Sequence, residues 1–162
     1  MTLLRRARRS EAGAALVELA IALPFLVLVF AATIDFGRIF YASIALTNAA
    51  RAGAQYGAHN AAQSGDTATM QTRATGASPN LTGVTAVATR LCECATDAGT
   101  IPFSATSPPN TCDSSTACSS TTHLVVTVTV TVSKTFTTIM SGVPGIPGSV
   151  SLSRTATMRV MQ

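Results

Sequence analysis

The sequence predicts an α+β fold in which one long N-terminal helix, transmembrane in its first half and amphipathic in its second, packs on a small antiparallel β-sheet. Three observations carry this prediction. An apolar run extends from Leu16 to Ile34, helix-compatible sequence follows it to Ala58, and two segments near the C-terminus alternate apolar and polar residues. A chain of 162 residues accommodates one head with a core and one anchor, and is short for two ordinary domains plus an anchor. The expected division is a basic leader at 1–13, a helix at 14–58 and a β-rich head at 59–162, with a cysteine-containing loop at 92–121.

The leader holds most of the charge. Arg5, Arg6, Arg8 and Arg9 with Glu11 supply +3 of the overall +4, so the remainder is close to neutral and has no Lys/Arg run able to track a phosphate backbone. Nucleic acid is therefore set aside as a partner. The lipid bilayer takes its place, because Leu16 to Ile34 is nineteen residues interrupted only by Glu18 and Pro24. At ~1.5 Å per residue this run nearly spans a ~30 Å hydrocarbon core. Four arginines precede the span and only Asp35 and Arg38 follow it closely, which predicts a cytoplasmic N-terminus and an external C-terminal domain. A cleavable secretory signal is the other reading of a basic segment followed by an apolar one. The length of the run and the helical sequence beyond it favour an uncut anchor.

Glu18 needs a reason, since a carboxylate at the centre of a membrane helix costs about 2.5–3.5 kcal/mol even on the milder insertion scale. Five residues beyond Gly13 it lies only ~7.5 Å further along the axis, near the cytoplasmic interface, where it can stay hydrated or meet a positive partner. Pro24 removes a backbone hydrogen bond and is expected to kink or loosen the helix.

From Asp35 to Ala58 there is no proline, alanine is frequent, and Phe36, Phe40 and Ile44 recur every four residues beside Tyr41. This aromatic stripe is expected to be core. Ala42, Ala45, Ala49, Ala52 and Gly53 form a small-residue face suited to close packing on the head or on neighbouring subunits.

In the head, Thr67 to Thr75 reads as a short helix with Met70 and Ala74 inward, and Val84 to Leu91 as a strand. Residues 94–121 read as a long Ser/Thr/Pro-rich loop. Leu124 to Phe136 alternates with Leu124, Val126, Val128, Val130, Val132 and Phe136 on one face. Val150 to Val160 repeats the pattern after a Gly/Pro-rich turn at 142–148. The apolar strand faces need a cover, and the N-terminal helix is the sizeable apolar element available.

Cys92, Cys94, Cys112 and Cys118 lie in polar surroundings, as in an oxidising compartment. Of three possible pairings, one closes a strained Cys92–Cys94 ring, and two bridges from Cys92/Cys94 to Cys112/Cys118 are preferred. A four-thiolate zinc site is disfavoured by the C-x-C and C-x5-C spacing. No catalytic residues are assigned and no cofactor or metal is expected. His59 and His123 are the only histidines, Lys134 is the only lysine, and Asp66, Asp97 and Asp113 are isolated. Metalloprotease, nucleophile-elbow and phosphate-loop motifs are missing from the sequence.

Gly13-Ala14-Ala15-Leu16-Val17-Glu18, after basic residues and before an apolar helix, resembles the prepilin-peptidase site of type IV pilins and pseudopilins, which carries a glutamate five residues after the cleaved glycine. The longer run to about residue 58, with Pro24, Asp35-x-Gly37-Arg38 and Leu46-Thr47-Asn48-Ala49-Ala50-Arg51, resembles the TadE-like family, the minor pseudopilins of tight-adherence pilus systems. The resemblance implies a pilin-like fold and cleavage after Gly13 by an integral-membrane aspartyl prepilin peptidase, which leaves Ala14 first. It implies a bacterial inner-membrane location with a periplasmic or extracellular head, and a role for Glu18 in pairing with the amine of a neighbouring subunit. The implied partners are that peptidase, other pilus subunits and assembly-platform membrane proteins. Ala14 is small where pilins carry an aromatic residue, so N-methylation is not carried over. The other reading is a membrane-tethered periplasmic binding or scaffold protein that never enters a filament.

Overall fold

A computed structural model describes residues 2–96, 99–100, 118, 123–139, 141 and 145–161. Its first element, α1 (Thr2–Ala58), is one continuous helix that passes through Pro24. Two short helices follow, α2 (Ala61–Gly65) and α3 (Thr67–Gly76), then β1 (Thr85–Thr96), the two-residue β2 (Gly99–Thr100), β3 (His123–Thr137) and β4 (Ser149–Arg159). The strands form one antiparallel sheet in the order β2-β1-β3-β4, and α1 and α3 cover one of its faces. This is the predicted α+β arrangement of a long helix on a small antiparallel sheet.

Capping residues set the helix boundaries. Asn60 Oδ1 accepts from the Gln63 amide at 2.8 Å to start α2, and Asp66 Oδ1 accepts from the Thr69 amide at 3.0 Å to start α3. The last carbonyl of α1 finds its partner at the far end of the chain, where the Met161 amide donates to Ala58 O at 2.9 Å.

The core explains why α1 presents small side chains to the sheet. Val126, Val128, Val130 and Val132 of β3 alternate inward and are buried together with Leu152 of β4, Met70 and Ala74 of α3, and Ala42, Leu46, Ala49, Ala50 and Ala54 of α1. Approach is closest at Gly53, where a Cβ would lie 2.8 Å from the Met70 carbonyl oxygen and 3.1 Å from Val130 Cγ1. Gly57 has the same role against the Met70 thioether. On the outer face, hydroxyl pairs tie the strands at Thr129–Thr157 (3.0 Å) and Thr131–Thr155 (2.9 Å).

Two expectations are corrected. The aromatic stripe is not core: Phe36, Phe40, Tyr41 and Ile44 are 48–71% exposed. Phe36, Phe40 and Ile44 point away from the sheet, because the opposite face with Ala42, Ala49 and Gly53 allows the backbone to approach the valines of β3. Cys92 and Cys94 do not belong to a loop beginning at residue 92. They lie on β1, paired with Val126 and Leu124 of β3, and β1 continues to Thr96 because that ladder continues. Cys94 is bridged to Cys118 with 5.6 Å between Cα atoms and a sequence separation of 24, a closure worth about 3 kcal/mol in the chain-entropy account. This bridge rules out the Cys92–Cys94 ring and removes both its cysteines from any thiolate metal site. Cys92 is also disulfide-bonded, and Cys112 lies outside the described residues, as do Asp97 and Asp113.

Candidate functional site

The first half of α1 stands clear of the head. Twelve large apolar side chains from Leu16 to Ile34, among them Ile21, Phe25 and Phe30, are 43–75% exposed, and the most apolar window of the helix has no buried residue. Burying one such side chain is worth about 1.5–3 kcal/mol relative to full exposure. Leaving twelve half-exposed therefore forfeits on the order of 10 kcal/mol, comparable with the whole stability of a domain. The helix is long and apolar enough to cross a membrane, and the protein has the form of a single-pass anchored head.

Two carboxylates bracket this surface. Glu18 and Asp35 are separated by seventeen residues of helix, ~26 Å along the axis, close to the ~30 Å hydrocarbon thickness. Their environments are opposite. Glu18 is exposed, with Ala14, Ala15, Ile21 and Ala22 at the helical positions that could have supplied a partner. Among the described residues it has no hydrogen bond or ion pair. Asp35 is buried to 7% exposure, accepts from the Ile139 amide at 2.8 Å through Oδ2, and meets Arg38 Nη1 at 3.4 Å through Oδ1. The Arg38 guanidinium lies 4.9 Å over the Phe136 ring. Asp35 and Arg38 thus fasten the end of β3 to the point where α1 enters the head. Further along the helix, Arg154 of β4 donates to Ser43 Oγ at 3.1 Å from Nε and 2.7 Å from Nη2. The sequence marked the position of Asp35 but offered no sign of a partner 104 residues away.

Gly13 lies on the exposed helix, and a Cβ added there would meet nothing within 4 Å. The fold makes no steric demand for glycine at this position. Ala14 beside it is exposed as well. Near the other end of α1, Ala52, Gln55, Tyr56, His59, Gln63 and Arg73 line an open cleft of about 700 Å³. Tyr56 Oη donates to Asp66 Oδ2 at 3.3 Å and the Arg73 guanidinium lies 5.7 Å from the Tyr56 ring centre. The Asp66 carboxyl is held below its ordinary value of 3.8 by hydrogen bonds from the Thr69 side chain and amide, with a smaller contribution from Tyr56 and opposition from desolvation. Among the described residues no three His, Cys, Asp or Glu side chains gather as a metal site.

Residues 13–55 match the family model described as TadE-like protein. The match starts at the candidate processing glycine, covers the exposed span with Glu18 and Pro24, includes Asp35 and Arg38, and ends just past Gly53. It bears out the resemblance read from the sequence and connects the helix with pilus-related proteins. No curated protein and no solved structure shows a significant match.

Proposed function

We propose that this chain is a TadE-like minor pseudopilin that serves the assembly of an adhesive, tight-adherence pilus. A prepilin peptidase removes the leader after Gly13, and the mature protein sits in the bacterial inner membrane with its head on the periplasmic or extracellular side. The observation that carries the proposal is the bare first half of α1: an exposed apolar helix with one carboxylate, Glu18, that has no partner among the described residues, inside the segment that matches the family model.

Before processing, the arginines of the leader hold the N-terminus at the cytoplasmic face, because drawing them through lipid is prohibitive. Removal of the leader lifts that restraint and creates a cationic α-amino group at Ala14. Glu18 then has a counter-charge of the right sign on a neighbouring subunit. A buried charge is tolerated when paired and costly when alone, so the pairing selects a register between helices instead of merely adding adhesion. Pro24 frees one backbone carbonyl within the span and lets the helix adjust to its neighbours. Support for glycine recognition comes from position 13 itself, where the fold leaves room for a larger residue. The oxidised cysteines of the head agree with an external compartment.

The variant Glu18→Ala tests the assembly role in cells that express the whole pilus system. Its leader should still be removed, whereas surface pili counted by electron microscopy should fall sharply. Unchanged piliation would dismiss the carboxylate as an assembly element and favour a tethered binding or scaffold protein, to which the cleft at Tyr56 and Arg73 would then be the natural binding region.

A further inference from the structure

We infer that the membrane-proximal end of the β3–β4 hairpin makes a second membrane contact through Ile139 and Ile146, which rest in the interfacial layer of the bilayer beside the exit of α1. The inference rests on reading the first half of α1 as membrane-spanning. β3 descends along α1 toward that half: Val130 lies against Gly53, Phe136 under Arg38, and the Ile139 amide on Asp35. The Thr138 amide pairs with Gly148 O at 3.1 Å, and Ile139 and Ile146 lie beyond this pair on the two sides of the β3–β4 connection. Asp35 directly follows the last residue of the apolar run. The amide of Ile139, 2.8 Å from its carboxylate, is therefore at the edge of the hydrocarbon, and the headgroup layer continues outward for several more ångströms.

The sequence around Ile139 and Ile146 suits that depth. Between Lys134 and Arg154 there is no charged residue, although a turn facing bulk water ordinarily carries polar side chains. The Ile139 side chain is 56% exposed. Arg38, whose side chain is 47% exposed, sits at the same level with its guanidinium available to a lipid phosphate. Phe36 and Phe40 occupy that level on the opposite side of α1, as aromatic residues do at membrane interfaces. The occupant is lipid and not a second copy of the chain, because Ile139, held on Asp35, is continuous with the membrane surface that the helix already crosses. Two contacts, one spanning and one interfacial, would fix the tilt of the head and prevent it from swinging about Asp35.

The chain contains no tryptophan, so single tryptophans are unique depth probes. The full-length variants Ile139→Trp, Phe25→Trp and Met161→Trp are reconstituted in phosphatidylethanolamine/phosphatidylglycerol vesicles with and without lipid brominated near the carbonyl. Met161 hydrogen-bonds Ala58, ~35 Å along the helix from Asp35. Ile139→Trp should lose about half of its emission to the brominated lipid, as expected for a group ~5–10 Å into the headgroup boundary, while Met161→Trp should keep its emission. Quenching of Phe25→Trp without quenching of Ile139→Trp overturns the inference and leaves the anchor standing. Equal quenching at Ile139→Trp and Met161→Trp overturns it too, because the head would then lie flat. Absence of quenching at Phe25→Trp overturns the anchor and this inference together. Ile146→Trp, on the other side of the β3–β4 connection, carries the same expectation if Ile139→Trp loses the β-sheet signal in circular dichroism.

Discussion

Replacing Asp35 by alanine should undock the membrane-proximal end of the sheet. The carboxylate takes the Ile139 amide at 2.8 Å and Arg38 at 3.4 Å from a nearly buried position. A hydrogen bond to a charged group contributes about 1.5–3 kcal/mol, and removing it leaves an amide without its acceptor. The Arg38 pair adds at most ~1 kcal/mol because the arginine is half exposed. The expected loss is about 2–4 kcal/mol, and for a head of this size roughly 10–20 °C in Tm. The assay is thermal and urea unfolding of the detergent-solubilised full chain, followed by the β-sheet signal in circular dichroism. Asp35→Asn, which keeps an acceptor for Ile139, should lose less than half as much. If Asp35→Ala and Asp35→Asn both stay within ~0.5 kcal/mol of the parent, in the range of ordinary surface changes, the docking role is refuted.

Two further variants probe the head. Gly53→Val places branched carbon where a Cβ alone would sit 2.8 Å from the Met70 carbonyl oxygen, so overpacking of at least ~1–3 kcal/mol should outweigh any gain in helix propensity; an unchanged urea midpoint would contradict the packing described. Asp66 titrates lower in the folded head than in the unfolded chain, so its stabilising contribution is complete above the ordinary carboxylate range and disappears as pH falls through the folded-state value. The difference in urea midpoint between the parent and Asp66→Asn should therefore shrink below about pH 4, and a difference that grows on acidification would reverse the assignment.

The parts of the fold that were legible in the sequence are those whose pattern is local. β3 shows itself because Val126, Val128, Val130 and Val132 alternate with threonines, and α3 because Met70 and Ala74 are one turn apart. The helix that matches the family model was readable for the same reason, from an apolar run interrupted only by Glu18 and Pro24. Long-range contacts decided what was not legible. The ladder with β3 carries β1 through Cys92 and Cys94, a stretch whose composition resembles a loop. Helical periodicity showed two candidate faces on α1 after Asp35 and pointed to the aromatic one as core, whereas close approach at Gly53 made the small face the buried one. The aromatic face was left outside. Asp35 was visible as the end of the apolar span, but its hold on Ile139 depends on the hairpin folding back across most of the chain.

Intact-mass spectrometry of the full chain co-expressed with a prepilin peptidase reads the removal of the leader itself. The product should begin at Ala14, having lost everything through Gly13, and Gly13→Val should remain whole under the same conditions. A parent chain that keeps its N-terminus in the presence of an active peptidase would contradict it.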